Sequence, residues 1–205
     1  HVCIRDRAPD FFFDLDLVAL SSLMSPDDLA IFGVCARIFS LASFGVLAVY
    51  SVTMPDVFEA EAMNDRVGFM DRIGDANVVA AGASLLLFGL AGIFGPFALL
   101  LFGTGFLAGS APLSTLCLAL AVRSAFGPTS LVLSIHDHPY ASLPAVAAGL
   151  VTLIGANMVL VPAFGLMGAS VSALIAIGVW SGMLWFVTLR MTGVDVSILP
   201  RLRER

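Results

Sequence analysis

Four ionisable side chains lie inside long apolar stretches of this sequence: Asp14, Asp16, Arg37 and Arg123. A charged group at the centre of a lipid bilayer costs about 2.5 kcal/mol or more unless it is paired or faces water. Arginine keeps its charge at any depth, and its planar guanidinium group binds phosphate through two parallel hydrogen bonds. The two arginines are therefore candidates for a cationic cavity wall. The alternative is that Asp–Arg pairs fix the register of buried helices.

The turn at Pro26-Asp27 places two of these groups at one depth. Asp16 and Arg37 lie nearly the same number of residues before and after that turn. At a rise of 1.5 Å per residue, both sit about 15 Å below the nearer membrane surface. We therefore expect the two side chains to face each other across a helical hairpin. Asp14 lies at most one turn deeper on the same helix.

Two further residues are candidates inside the membrane. Arg123 sits about 20 Å from the same surface by the same rise, and no acid stands near it in its own helix, so a cavity-wall role and a structural pairing both fit it. Asn157 suits an interhelical hydrogen bond better than a contact with sugar. Outside the apolar runs, His136 and His138 flank Asp137, and without a third ligand group we interpret this stretch as a solvated loop.

The composition is that of an integral membrane protein. Of the 205 residues, 59% are hydrophobic and 12% are charged, and the mean hydropathy is +1.00. Soluble domains carry about 25% charged residues, so too little polar surface remains to keep a fold of this size in solution. The sequence contains no nucleophile triad, phosphate-binding loop or metal-ligand spacing. We therefore expect a protein embedded in the lipid bilayer, with no enzyme activity, catalytic residue, cofactor, metal or nucleic-acid partner.

A membrane-spanning helix needs about 20 mostly apolar residues. Six runs approach or reach that length: 9–24, 29–55, 77–102, 108–135, 141–162 and 166–190. Their continuous apolar character favours helices over alternating strands. The sequence thus predicts an all-α polytopic membrane fold that forms one unit over residues 1–205. The fold also includes a polar link at 56–77 and a basic tail at 191–205. We interpret the polar link as an amphipathic helix at the membrane interface.

Proline and glycine divide these runs. Pro55 ends the second predicted helix, a Gly-Pro pair kinks the fourth, and Pro162 with Gly165 ends the fifth. In the sixth, small residues recur at every fourth position from Gly168 onward. Because lipid tails are as apolar as leucine, helices in a membrane associate through small residues that allow close backbone approach. We therefore predict a tight hairpin between the last two helices, packed through Gly168.

The arginines predict the orientation. All ten cationic side chains are arginine, and with six spans eight of them fall on one side of the membrane. These eight are Arg5, Arg7, Arg66, Arg72, Arg190, Arg201, Arg203 and Arg205. The connections on the opposite side contain none. Because arginine and lysine accumulate in cytoplasmic loops, both termini are predicted to be cytoplasmic.

Two stretches carry a resemblance to a known family. "NMVLVPAFGLMGASVSAL", from Asn157, has the order of Asn, apolar stretch, Pro, aromatic, Gly and small residues found in polysaccharide flippases. "DLDLVALSSLMSPDDLAIFGVCARIF", from Asp14, is similar to their intramembrane Asp, acidic turn and following Arg, here Asp16 and Arg37. The chain resembles the C-terminal lobe of these flippases, which belong to the multidrug/oligosaccharidyl-lipid/polysaccharide exporter superfamily.

The resemblance implies one six-helix lobe of a two-lobe exporter in the plasma (inner) membrane. It implies that the chain is a fragment whose partner is an N-terminal lobe or a second copy. Between the lobes lies a cavity that moves an oligosaccharide, carried on an isoprenoid pyrophosphate, across the membrane by alternating access. The candidate cavity residues are Asp14, Asp16, Arg37, Arg123 and Asn157.

Two other functions stay open at this point. A drug or cation antiporter of the same superfamily would use the acids to carry a coupled proton or sodium ion. A truncated remnant or a scaffold subunit would pack with partners without transporting anything. The sequence does not specify the glycan, the lipid carrier, the coupling ion or the oligomeric state.

The arginine distribution is tested by cysteine labelling from outside the cell. In a cysteine-free background, we expect a membrane-impermeant thiol reagent to modify Pro26→Cys and Gly165→Cys. It should leave Gly68→Cys and Arg203→Cys unmodified until the membrane is permeabilised. Modification at position 68 in intact cells would contradict the predicted orientation.

Overall fold

A computed structural model describes residues 16–63, 66–129, 132–133 and 139–192, and within these ranges no strand occurs. In the described part of the chain, four helical segments are long and apolar enough to cross a membrane: Pro26–Thr53, Gly68–Leu100, Thr104–Ala125 and Leu143–Met191. The prediction of an all-helical, membrane-embedded protein is confirmed at this level. The count of six spans and the orientation of the termini stay predictions.

The exposed surface of the helices suits lipid and not water. Large apolar side chains project outward at many positions, and the exposed fractions of Leu41, Val52 and Leu101 are 74%, 78% and 87%. Soluble monomers rarely expose contiguous apolar patches of this kind. Acyl chains cover such side chains without penalty, because lipid is as apolar as the side chains themselves.

The first two long helices form an antiparallel hairpin. Helix α1 (Pro26–Ala62) and helix α2 (Arg66–Leu100) are joined by a short turn. Ser25 caps α1, because its Oγ accepts a hydrogen bond from the Asp28 backbone N–H at 3.2 Å and donates one to the Asp28 carboxylate at 2.8 Å. Both helices extend beyond the apolar runs, so most of the polar link at 56–77 belongs to their ends. The prediction of a separate interfacial helix there is wrong.

Pro55 lies inside α1 and does not end it, which corrects the prediction from the sequence. Proline removes one backbone hydrogen bond and bends a helix, but packing on the far side can offset this loss. That packing is present here, because Val57 is fully buried in a small cluster with Phe69 and Ile73 of α2. The hairpin therefore continues past the proline until its turn.

The next helix is shorter than its apolar run. A 3₁₀ turn (Thr104–Gly109) leads into helix α3 (Ser110–Ala125), and Gly127 then adopts φ +78°. The kink predicted at Gly127-Pro128 is thus the end of the helix and not a bend within it. The residue before a proline avoids the helical region, and glycine tolerates positive φ, so this pair stops the helix.

The last segment, α4 (Leu143–Thr192), consists of two helical arms joined at Gly165, whose φ of 54° and ψ of −130° are non-helical. A side chain on Gly168 would collide with the carbonyl group of Leu160, and one on Gly149 would meet Trp180. Residues 160 and 168 would be about 12 Å apart along a straight helix. The arms, 143–164 and 166–192, therefore run antiparallel, and Gly165 makes the turn while Pro162 remains inside the first arm.

Helix α3 occupies the middle of the bundle. It packs against α1, α2 and α4, and α1 makes few direct contacts with α4. Gly109 lets the start of α3 approach α1 closely, because an added Cβ atom would lie 2.8 Å from Ile31 and 2.9 Å from Cys35. The main core, which includes Phe32, Leu99, Leu116 and Leu153, lies around this central helix.

The α4 hairpin gives a direct test of close backbone packing. Gly168→Ala should lower the stability of the protein by about 1–3 kcal/mol, because the new methyl group overpacks against the Leu160 carbonyl. Thermal unfolding in detergent measures this change.

Gly155→Ala is the matched control within the same hairpin, because no atom lies within 4 Å of its added Cβ. In a helix, alanine is favoured over glycine by about 0.5–1 kcal/mol, so Gly155→Ala should match or exceed the wild type. Equal stability of Gly168→Ala and Gly155→Ala would contradict the hairpin geometry.

Candidate functional site

The most deeply buried polar pair joins the start of the described chain to the first arm of α4. Asp16 and Asn157 are each only 1% exposed. The Asn157 Nδ2 group donates a hydrogen bond of 2.6 Å to Asp16 Oδ1, although the two residues are 141 positions apart. The surrounding bundle is apolar, so the contact is a specific polar link between two helices.

Two oxygen atoms of this pair have no hydrogen-bond donor among the described residues. They are Asp16 Oδ2 and Asn157 Oδ1, and both are buried. An unsatisfied buried acceptor costs about 1–3 kcal/mol. A proton on the carboxyl group or a small monovalent cation between the oxygens would remove this penalty. The pair therefore has the chemistry of a proton or cation site.

Arg37 does not pair with Asp16, which corrects the sequence-based expectation. Its side chain is exposed on α1, and the carboxylate of Asp16 contacts Asn157 instead. Equal distance from a turn gives two residues the same height but does not fix their direction around each helix axis. Matched height in the membrane therefore does not identify the side chain that contacts Asp16.

Between Ala30 and Val52, the exposed residues of α1 are apolar except for Arg37 and Ser51. Successive exposed positions at helical spacing form a stripe, here called the Arg37 stripe: Ala30, Arg37, Leu41, Phe44, Ala48 and Val52. Arg37 lies about 17 Å along the helix from Pro26, near the middle of a hydrocarbon layer about 30 Å thick. Among the described residues no carboxylate pairs with it. A guanidinium group at this depth requires water, an anion or a partner protein.

Arg123 sits at the end of a membrane helix and not in its middle. It belongs to the last turn of α3, where a cation is stabilised by the helix dipole. Its guanidinium carbon lies 5.2 Å from the ring centroid of Trp180, on the second arm of α4. A cation–π contact of this kind stabilises by about 0.5–2 kcal/mol. This environment favours the structural interpretation of Arg123.

Two polar contacts that the sequence analysis missed tie α2 to its neighbours. The Tyr50 hydroxyl donates to Asn77 Oδ1 at 3.1 Å, and the hydroxyl groups of Ser84 and Ser124 lie 2.6 Å apart. All four residues are buried. In the sequence, these residues stand out only as polar residues within or beside an apolar run. Hydrogen bonds between two helices leave no pattern in the local sequence of either helix.

The remaining candidates have structural positions or lie outside the described residues. Pro162 is exposed near the turn of α4, whereas Gly168 is buried at the contact between its arms. Asp14, the 136–138 stretch and the basic tail from 193 onward lie outside the described ranges. Within the described ranges, no cluster of three or more His, Cys, Asp or Glu residues could hold a metal ion.

Comparison with known proteins adds no relative: no family model, curated protein or solved structure matches the chain.

The buried pair is tested by a double-mutant cycle with Asp16→Leu and Asn157→Leu. Each single substitution should lower stability by about 1.5–3 kcal/mol, because it leaves a buried polar partner without its hydrogen bond. The double variant should recover part of that loss, since replacing both partners by apolar groups removes the unsatisfied atoms. Thermal unfolding in detergent measures all four proteins. Simple additivity would show that the two side chains do not interact.

Proposed function

We propose that this chain is one lobe of a flippase that moves lipid-linked oligosaccharide across the membrane by alternating access. The observation that carries the proposal is the exposed, mid-membrane position of Arg37 on an otherwise apolar face of α1. A monomer surrounded by lipid would gain nothing from this arginine and would bear its desolvation cost. A transporter gains a fixed cation in the wall of its central cavity.

The chemistry of the proposed substrate suits this face. An isoprenoid pyrophosphate carries negative charge between a long apolar chain and a polar glycan. The guanidinium group of Arg37 can bind a phosphate through two parallel N–H···O hydrogen bonds. The apolar residues of the Arg37 stripe, such as Leu41 and Phe44, would lie beside the isoprenoid chain. A second lobe, from an N-terminal half or a second copy, would close the cavity.

The two arginines then have different roles. Arg37 faces the cavity and binds the pyrophosphate, whereas Arg123 holds α3 against the second arm of α4 through Trp180. The six-span arrangement with cytoplasmic termini belongs to this proposal, because the eight arginines on one side favour it.

A drug or cation antiporter is the second candidate function, and one observation favours it. The Asp16–Asn157 pair has two buried acceptor oxygens without a donor, which suits an exchangeable proton or sodium ion. In an antiporter this site would drive export of a cationic substrate. A bare guanidinium group in the cavity wall repels such a substrate, so Arg37 favours the flippase over the antiporter.

The proposal predicts that Arg37 contributes to export through its positive charge and through the coplanar N–H donors of its guanidinium group. In cells that carry this gene and export a surface glycan, Arg37→Ala should lose nearly all export and Arg37→Lys should keep part of it. Loss of one charged hydrogen-bonding partner is worth about 1.5–3 kcal/mol, or roughly tenfold to a hundredfold in affinity. The amount of protein is measured in the same membranes.

Arg190→Ala is the matched control, because Arg190 also lies exposed on a helix but in its last turn, beside Phe186. It should leave export near the wild-type level. Full export by well-expressed Arg37→Ala would contradict the flippase role of this face. Unchanged glycan export in every variant, including a deletion of the gene, would favour a scaffold. Cation export abolished by Asp16→Asn would favour the antiporter.

A further inference from the structure

A second polar site lies between α1 and α2, at the side of the buried core that is nearer to the turn joining these helices. A cavity of about 220 Å³ is lined by Thr53, Arg72, Asp75, Ala76 and Val79. Sites that enclose a whole drug-sized ligand measure about 300–1,000 Å³. The cavity is therefore large enough for a small charged group and too small to enclose a complete substrate.

The cavity lies at the boundary between the apolar and polar parts of the hairpin. The apolar span of α1 ends at Thr53, and beyond it both helices continue to their turn with charged residues such as Glu59. The end of the α1 span therefore indicates a position near the membrane surface on the side of that turn, where lipid headgroups lie, although the candidate span of α2 begins earlier, at Gly68.

The polar lining combines both signs of charge. Arg72 and Asp75 are three positions apart on α2, so they share one face of the helix. Arg72 also lies 3.9 Å from the Glu59 carboxylate, but both side chains are about half exposed, at 45% and 60%, and such pairs are weak in water. The Thr53 hydroxyl donates to backbone carbonyl groups of its own helix at 3.2 Å, so its oxygen can accept a hydrogen bond.

An apolar track leads from this cavity across the membrane. Val79 lines the cavity and is 56% exposed, and Leu86, Ile93 and Phe97 follow at seven- and four-residue intervals with similar exposure. These intervals place the four side chains on one face of α2. A ligand that fits both features has a charged head of mixed sign and a long apolar tail.

We propose that this cavity binds the headgroup of a phospholipid that carries a primary ammonium group. The phosphate contacts Arg72, the ammonium group contacts Asp75 and Thr53, and an acyl chain lies along the track from Val79. Of the ethanolamine, choline and glycerol headgroups, only ethanolamine combines a positive charge with N–H donors for Asp75 and Thr53. A choline headgroup lacks such donors, and a glycerol headgroup lacks the positive charge. The site is independent of the proposed transport function.

The test uses the purified chain in phosphatidylcholine nanodiscs, with phosphatidylethanolamine or phosphatidylglycerol added as a minor component. Native mass spectrometry counts the lipids that remain bound. We expect retention of phosphatidylethanolamine over phosphatidylcholine on the order of tenfold, the effect of one charged hydrogen-bonding partner. Asp75→Asn should remove that preference, and Asp75→Glu should restore part of it. Arg72→Gln should weaken the retention of all three lipids, because all three carry the phosphate.

Asp71→Asn is the matched control, because Asp71 is exposed one turn before Asp75 and does not line the cavity. It should bind lipid as the wild type does. The proposal is overturned if the wild type shows no preference for phosphatidylethanolamine, if it prefers phosphatidylglycerol, or if Asp71→Asn and Asp75→Asn behave alike. Soluble glycerophosphoethanolamine should compete poorly, and equal competition would show that the apolar track plays no part.

Discussion

The cost of placing a polar or charged group in hydrocarbon is the constraint on which this structure depends. Backbone groups meet it by forming helices, since each N–H and C=O is then satisfied within its own segment. Buried hydroxyl groups meet it by bonding to a carbonyl one turn earlier, as Ser172 does with Gly168 and Thr188 does with Leu184. A hydrogen bond to a backbone carbonyl group is not enough for the ionisable side chains. The way in which each of them is stabilised differs from one region of the protein to another.

Two solutions are visible. Asp16 takes a hydrogen bond from Asn157 and is buried. Arg123 moves to a helix end and lies over the ring of Trp180. Arg37 has neither solution, because it is exposed halfway along α1. A guanidinium group exposed to hydrocarbon would bear its full desolvation cost. The face that carries Arg37 is therefore the face on which we propose that the protein meets its substrate and its second lobe.

Much of the fold could be predicted from the sequence, because the membrane makes composition and length decisive. The apolar runs gave the helical class and the approximate segments, and "PAFG" indicated the turn at Gly165. Helix ends were less predictable. Pro55 lies inside a helix because Val57 packs beyond it, whereas Gly127 and Pro128 together end one. The partner of Asp16 could not be predicted, since the rotation of a helix about its axis depends on packing that no local pattern records.

The account of function depends on one proposal, that the Arg37 stripe faces a water-filled cavity rather than lipid. Single cysteines placed along α1 at the stripe positions and along α2 at Leu86 and Ile93, both exposed and apolar, test it directly. Their reaction rates with a small, water-soluble thiol reagent in native membranes are compared. We expect fast reaction at positions 37, 41 and 44, with a helical period along α1, and slow reaction at both α2 positions. Equally slow reaction on the two helices would place the Arg37 stripe in lipid and contradict the claim.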